Sequence, residues 1–138
     1  MIIDFTGVPV DEQAAIRRLF DGVVRADAEK DADGLLALLA ADIVIEVQGL
    51  GILDRRACEA SIRDQTQSAA ESKMEYPTLY VELKDGVYRV EGTYRGWSDG
   101  KLEYEGSLQM RLKRQGAGFQ ISYEKMIPSL HGGEQLGQ

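Results

Sequence analysis

The strongest constraint on the fold lies in the second half of the chain. Two Asp-Gly pairs, Asp85-Gly86 and Asp99-Gly100, are flanked by residues that alternate between apolar and polar. That combination is the strongest short-range signal of a β-hairpin. With Gln115-Gly116-Ala117-Gly118 and Pro128 they mark off four runs: Met74 to Lys84, Val87 to Ser98, Lys101 to Arg114 and Phe119 to Ile127. Four such runs in succession predict an antiparallel meander. Alternation then assigns an inner face. It takes Leu79, Val81 and Leu83 from the first run, with the same parity carried back to Pro77 and Glu75. The second run adds Tyr88, Val90, Gly92 and Tyr94, and the third adds Leu102, Tyr104, Leu108, Met110 and Leu112. Phe119, Ile121 and Tyr123 complete it. Gly92 and Gly106 leave room in the middle of that face, as strand glycines often do where something approaches closely.

The first half follows a different period. Ile16, Leu19, Phe20, Val23 and Val24 are spaced by threes and fours, the stripe of an amphipathic helix. Asp11 reads as its N-cap, and it should stop near Lys30-Asp31. A second helix, capped by Asp31 or Asp33, carries Leu35, Leu36, Leu38 and Leu39 and is expected to end near Ala41-Asp42. Ile43-Val44-Ile45-Glu46-Val47 is strand-like, and Gly49 and Gly51 break it. Asp54 then opens a third helix that runs to about Ala70. Helices first and long strands after predict an α+β domain, its helices covering one face of a curved, mainly antiparallel sheet. At 138 residues the chain is read as one domain, with a core over about 10–127 and a flexible tail over 129–138.

Composition narrows the function. There are 16 Lys and Arg against 23 Asp and Glu, a net charge of −7. Such a chain repels phosphate backbones and anionic lipid, so no nucleic-acid or membrane partner is expected, whereas small neutral, apolar or cationic ligands stay open. The one cysteine, Cys58, cannot pair internally and suits a reducing, cytoplasmic setting. The one histidine, His131, lies beside Gly132-Gly133. Zinc sites of the His/Cys type, Ser-His-Asp triads and two-histidine iron sites all lack ligands, so no metal and no cofactor is expected. No basic leader and no long apolar run stands at the start.

Acid–base chemistry must therefore come from carboxylates, tyrosines or lysines. Asp27 continues the stripe of Ile16, Phe20 and Val23 and should point towards the core. A carboxylate there is costly unless paired. Either the helix frays and Asp27 reaches water, or it ends in a cavity with a raised pKa and can act as a general base.

The segment from Ala26 to Ile43, with Asp31-Ala32-Asp33-Gly34-Leu35 at its turn, resembles the helix–turn–helix–strand opening of the nuclear transport factor 2-like superfamily. Leu53-Asp54-Arg55-Arg56-Ala57 is similar to that group's start of helix three, and Phe119-Gln120-Ile121 to its last strand. The resemblance implies the cone-shaped, cystatin-like α+β fold of ketosteroid isomerases, scytalone dehydratase and SnoaL-like polyketide cyclases. The tyrosine and aspartate of the isomerases fall on Val23 and Val47, so that mechanism is not carried over. A dehydratase-type aspartate falls close to Asp27, and its histidine partner near Glu75, in Met74-Glu75-Tyr76-Pro77-Thr78. Asp27 and Glu75 are thus the catalytic candidates, two carboxylates that can share a proton if they face one cavity. Tyr94, Tyr104 and Tyr123 are the ligand-binding candidates, and Trp97 reads as an edge residue. The resemblance implies an isomerase, cyclase or dehydratase acting on a small apolar or aromatic molecule. The alternative is a non-catalytic ligand-binding or structural module. A homodimer through the outer sheet face is expected in either case.

Overall fold

The computed structural model describes residues 1–129. The flexibility expected beyond Ser129, and the position of His131, lie outside the described residues. The first strand, β1 (Ile2–Thr6), leads into α1 (Val10–Ala28) and α2 (Ala32–Ala37). Next come β2 (Leu39–Val47), β3 (Gly51–Leu53) and α3 (Arg55–Thr66). The second half is β4 (Ser72–Glu75), β5 (Thr78–Lys84), β6 (Val87–Ser98), β7 (Lys101–Gln115) and β8 (Gly118–Pro128). No helix among these is long and apolar enough to cross a membrane.

Helix α1 starts two residues earlier than the capping pattern predicts. Pro9 takes the cap position, and Asp11 and Glu12 sit in the first turn, where their charge meets the positive end of the helix. Lys30, in the left-handed region at φ 56°, ends the turn out of α1. Asp31 caps α2 by accepting from the Gly34 amide at 2.9 Å, and Asp54 caps α3 by accepting from Ala57 at 2.9 Å. Helix α2 closes sooner than its leucines suggest, because Leu39 is already in a strand.

The strands form one sheet in the order β1-β5-β6-β7-β8-β2-β3, with β4 pairing the far end of β6. Both predicted Asp-Gly turns are present, with positive φ at Asp85, Gly86, Asp99 and Gly100, the geometry of a type I′ hairpin. Two strands extend the meander in ways the patterning does not show. β1 adds a parallel edge to β5, and β2 runs parallel to β8, so the sheet is mixed. Gly92 and Gly106 do not leave room for a ligand. A Cβ would lie 2.3 Å from the Thr78 carbonyl oxygen at Gly92 and 2.3 Å from that of Ile127 at Gly106. Neighbouring backbone fills the space and lets the sheet curl around the helices.

That curl is accompanied by breaks in register, one between β2 and β8 at Leu39/Val44 and three along the meander. Between β4 and β5 the pairing moves from Glu75↔Arg95 to Leu79↔Gly92, four steps on one side against three on β6. Between β6 and β7 it slips at Gly96/Trp97, and Glu103 is the extra residue. Between β7 and β8 it moves from Leu112↔Ile121 to Arg111↔Tyr123, and Ser122 is the extra residue. Each break reverses which face the following side chains take.

The core lies between α1 and the concave face, with Ile16, Phe20, Ile43, Leu79, Leu108, Met110 and Ile121 fully buried. Beside it, at the start of α1, sits a buried charge. Glu12 is 8% exposed. The Tyr88 hydroxyl donates to one of its oxygens and the Arg114 guanidinium to the other. Arg114 also lies over the Phe119 ring, 5.6 Å from its centroid. Removing Arg114 leaves a desolvated carboxylate with one neutral donor. Arg114→Ala is expected to lower the unfolding free energy by about 1–3 kcal/mol. In a Glu12→Gln background, where no charge is stranded, the same change should cost much less. Urea titrations of the four proteins check this, and additive costs would show that the pair is not coupled.

Candidate functional site

Helix α1 carries Asp27 to the mouth of the cone. The spacing that buries Ile16, Phe20 and Val23 turns Asp27 inwards one turn later, where it is half-buried. It lines a cavity of about 140 Å³ together with Lys30, Ser72, Trp97, Glu103 and Tyr104. The Ser72 hydroxyl donates to the Asp27 carbonyl at 3.3 Å, which ties β4 to the helix end. The Lys30 ammonium donates to the carbonyls of Ser68 and Ala70 and holds the α3–β4 connection against the rim. Burial raises the Asp27 pKa, while Ser72 and the Lys30 charge pull it down.

Three tyrosines stand behind this mouth. Tyr104 is 44% exposed, and its ring lies flat across Gly96 of the neighbouring strand. A Cβ at Gly96 would sit 1.9 Å from the Tyr104 Cζ, so only glycine admits the ring. Burial, then the charges of Asp27 and Glu103, push the Tyr104 pKa up to about 12. Tyr94 is buried, its ring centroid 6.0 Å from that of Tyr104. Tyr76 is buried edge-on against Phe20 at 5.3 Å, and burial holds its pKa well above the usual value. All three stay protonated at neutral pH and are hydrogen-bond donors.

A second carboxyl group, Glu124, is buried on the inner face of β8. It is 8% exposed, and no described residue makes an ion pair or hydrogen bond with its carboxylate. Burial alone pushes its pKa up from 4.5 to about 7. Its charge raises the pKa of Tyr94, Tyr76 and Tyr104, and Asp27 acts on the last two as well. Both carboxyl groups thus act electrostatically on Tyr76 and Tyr104.

Sequence patterning finds part of this site. Asp27, Tyr94 and Tyr104 lie where alternation and the helical stripe put them. Glu75 does not. The register break at Tyr76-Pro77 reverses parity, so Tyr76 turns inwards and Glu75 joins the outer row beside Arg95. The Glu75 carboxylate accepts from the Trp97 indole at 3.1 Å and lies 3.9 Å from Arg95. It reaches the mouth only through Trp97. Tyr123 is likewise corrected. The bulge at Ser122 turns it to the outer face, against Arg111 at 5.0 Å and with its hydroxyl 3.4 Å from Glu46. The same bulge turns Glu124, read by alternation as outward, to the inside. The sequence does not announce the switch, because Met126 follows the new parity and Ile127 the old one. Trp97 combines its expected edge position with a place in the cavity wall. Cys58 is buried under α3 with its thiol pKa raised, first by burial. Among the described residues no group of three His, Cys, Asp or Glu is placed to hold a metal ion.

No family sequence profile and no curated protein sequence matches the chain. Solved structures do match it. A nuclear transport factor 2-like protein of unknown function from Pseudomonas putida KT2440 superposes with a TM-score of 0.75 at 17% identity, over 91% of this chain and 92% of its own. A candidate dehydratase of the same family from Streptomyces avermitilis gives 0.73 at 14%, over 86% and 96%. LinA gives 0.70 at 12%, over 86% of each chain. At these identities the likeness carries the architecture and nothing finer. Helices on a curved mixed sheet, closed into a cone, give this chain the nuclear transport factor 2-like fold.

Proposed function

We propose that the protein is an acid–base enzyme that isomerises, cyclises or dehydrates a small, largely apolar molecule held in the cone. The observation that carries this reading is a pair of carboxyl groups with raised proton affinity, Asp27 in the cavity wall and Glu124 buried on the inner face of β8, both acting electrostatically on Tyr76 and Tyr104. Their environments differ, and so do their roles. Asp27 is half-buried, with Ser72 and Lys30 favouring its ionised form against burial, and serves as the base that takes a proton from carbon. Glu124 keeps its proton to about pH 7 and serves as the acid that returns one to oxygen or carbon. Tyr94 and Tyr104 donate hydrogen bonds to an oxygen on which negative charge develops. Leu35, Ile62 and Trp97 supply apolar wall for the body of the molecule. The solved dehydratase candidate of the same fold agrees with this chemistry.

A panel of small cyclic ketones and allylic alcohols in D2O tests the reading through deuterium incorporation or loss of water. Asp27→Asn is expected to lower the rate on any responsive compound by about 10²–10⁴-fold with melting little changed. An unchanged rate would overturn the enzyme reading and leave the cone a ligand-holding module. The rate should fall as pH rises through about 7, where Glu124 loses its proton, and Glu124→Gln should abolish that fall.

Glu124 also predicts a stability signature that needs no substrate. Between pH 4.5 and about 7 the folded chain keeps a proton that the unfolded chain has released. Stability therefore falls as pH rises across that window, by up to about 3 kcal/mol, and levels off above it. Glu124→Gln removes the titration. Thermal melts from pH 5 to 8 should show the variant gaining on the wild type as pH rises, and parallel curves would contradict a buried, proton-bearing Glu124.

A further inference from the structure

The mouth of the cone carries features that proton transfer does not use. Glu103, the extra residue of the bulge between β6 and β7, lines the cavity. Its carboxylate has no ion pair or hydrogen bond with another described residue. Beside it in the lining are the Trp97 and Tyr104 rings, and Leu35 and Ile62 stand in the same wall. The one cation there is Lys30, and its ammonium is turned onto the carbonyls of Ser68 and Ala70. Outside this lining, the buried Glu124 carboxyl group adds negative potential at Tyr104 and has no ion pair or hydrogen bond with another described residue. An exposed, unpaired carboxylate that shares a cavity wall with aromatic and apolar side chains suits an organic ammonium group. The anion supplies charge, the rings supply cation–π attraction, and the apolar wall takes the hydrocarbon body. An anionic group would meet Asp27 and Glu103 at the entrance and be repelled.

We infer that the cone selects a substrate bearing a basic nitrogen, its ammonium group held at the mouth by Glu103, Trp97 and Tyr104 while its apolar body enters the cavity. This rests on the acid–base reading above and names the substrate class of that same site. Glu103 is then a specificity-determining residue, set apart from the groups that move the proton.

Trp97 is the single tryptophan of the chain, so its fluorescence and its indole N–H resonance report on the mouth directly. The test is a titration at pH 7 with three single-ring probes of matched shape: benzylammonium, benzyl alcohol and benzoate. Benzylammonium is expected to bind about tenfold or more tightly than benzyl alcohol, and benzoate more weakly than either. Glu103→Gln should erase the preference for the cation while benzyl alcohol binds as before. Glu103→Asp, which keeps the charge on a shorter stem, should keep part of it. Equal binding of the cation and the alcohol, a preference that survives Glu103→Gln, or no response from any probe would each overturn the inference. Asp27→Asn distinguishes this from the proton-transfer reading. A retained cation preference in that variant alongside unchanged turnover would sink the catalytic role and spare the mouth. Lost turnover with no cation preference in the wild type would do the reverse.

Discussion

A sheet that curls around helices cannot hold a strict two-residue alternation along every strand. Curvature concentrates at bulges, and each bulge turns the following side chains through to the other face. Three such breaks along the meander, at Tyr76-Pro77, at Glu103 and at Ser122, each set a residue of the cone. The first turns Tyr76 inwards and Glu75 out. The second, at the mouth, lies beside the seat of the Tyr104 ring on Gly96. The third brings Glu124 inside and sends Tyr123 to Arg111. The site is thus built from the places where the sheet departs from regularity, and its rigidity derives from the sheet itself.

What gathers there is a set of proton-bearing groups with Lys30 as the one cation among the described residues of the cavity lining. Asp27, Glu124 and three tyrosines share the interior, and burial raises the proton affinity of every one of them. In a low-dielectric interior the charged forms are disfavoured, and at Asp27 Ser72 and the charge of Lys30 work against that effect. A purely structural core would fill these positions with aliphatic side chains, as the rest of the inner face does at Leu108, Met110 and Leu112. Keeping a carboxyl group at Glu124 costs stability above neutral pH, and costs of that kind cluster where a group has chemistry to do.

How much of this is legible in the sequence follows from the same geometry. The helix stripe, the Asp54 cap and the two Asp-Gly turns depend on local spacing, and each lies where spacing puts it. Asp27, Tyr94 and Tyr104 are legible too, because no break in period separates them from their neighbours on the inner face. Glu75, Tyr123 and Glu124 are misread by alternation for one shared reason. Each lies beyond a bulge, and a bulge shifts phase by one residue without a distinctive residue type to announce it. The parallel edge strand β1 is hidden because five residues before a helix carry too short a pattern to name a partner some seventy-five residues away.

Helix α1 shows how one element can serve opposite ends. Glu12 and Asp27 lie on its inner side, roughly 22 Å apart along the axis. At the start of the helix the macrodipole favours a carboxylate, and Tyr88 and Arg114 complete its coordination. At the end the macrodipole opposes one, and Asp27 keeps only Ser72 and the charge of Lys30 against burial. The paired carboxylate anchors the helix to β6, β7 and β8. The under-compensated one is held at a fixed position by that anchor, with its proton affinity raised by its surroundings. A base in the cone needs both: a rigid support far from the chemistry, and an environment at the reacting end that leaves the carboxylate incompletely satisfied.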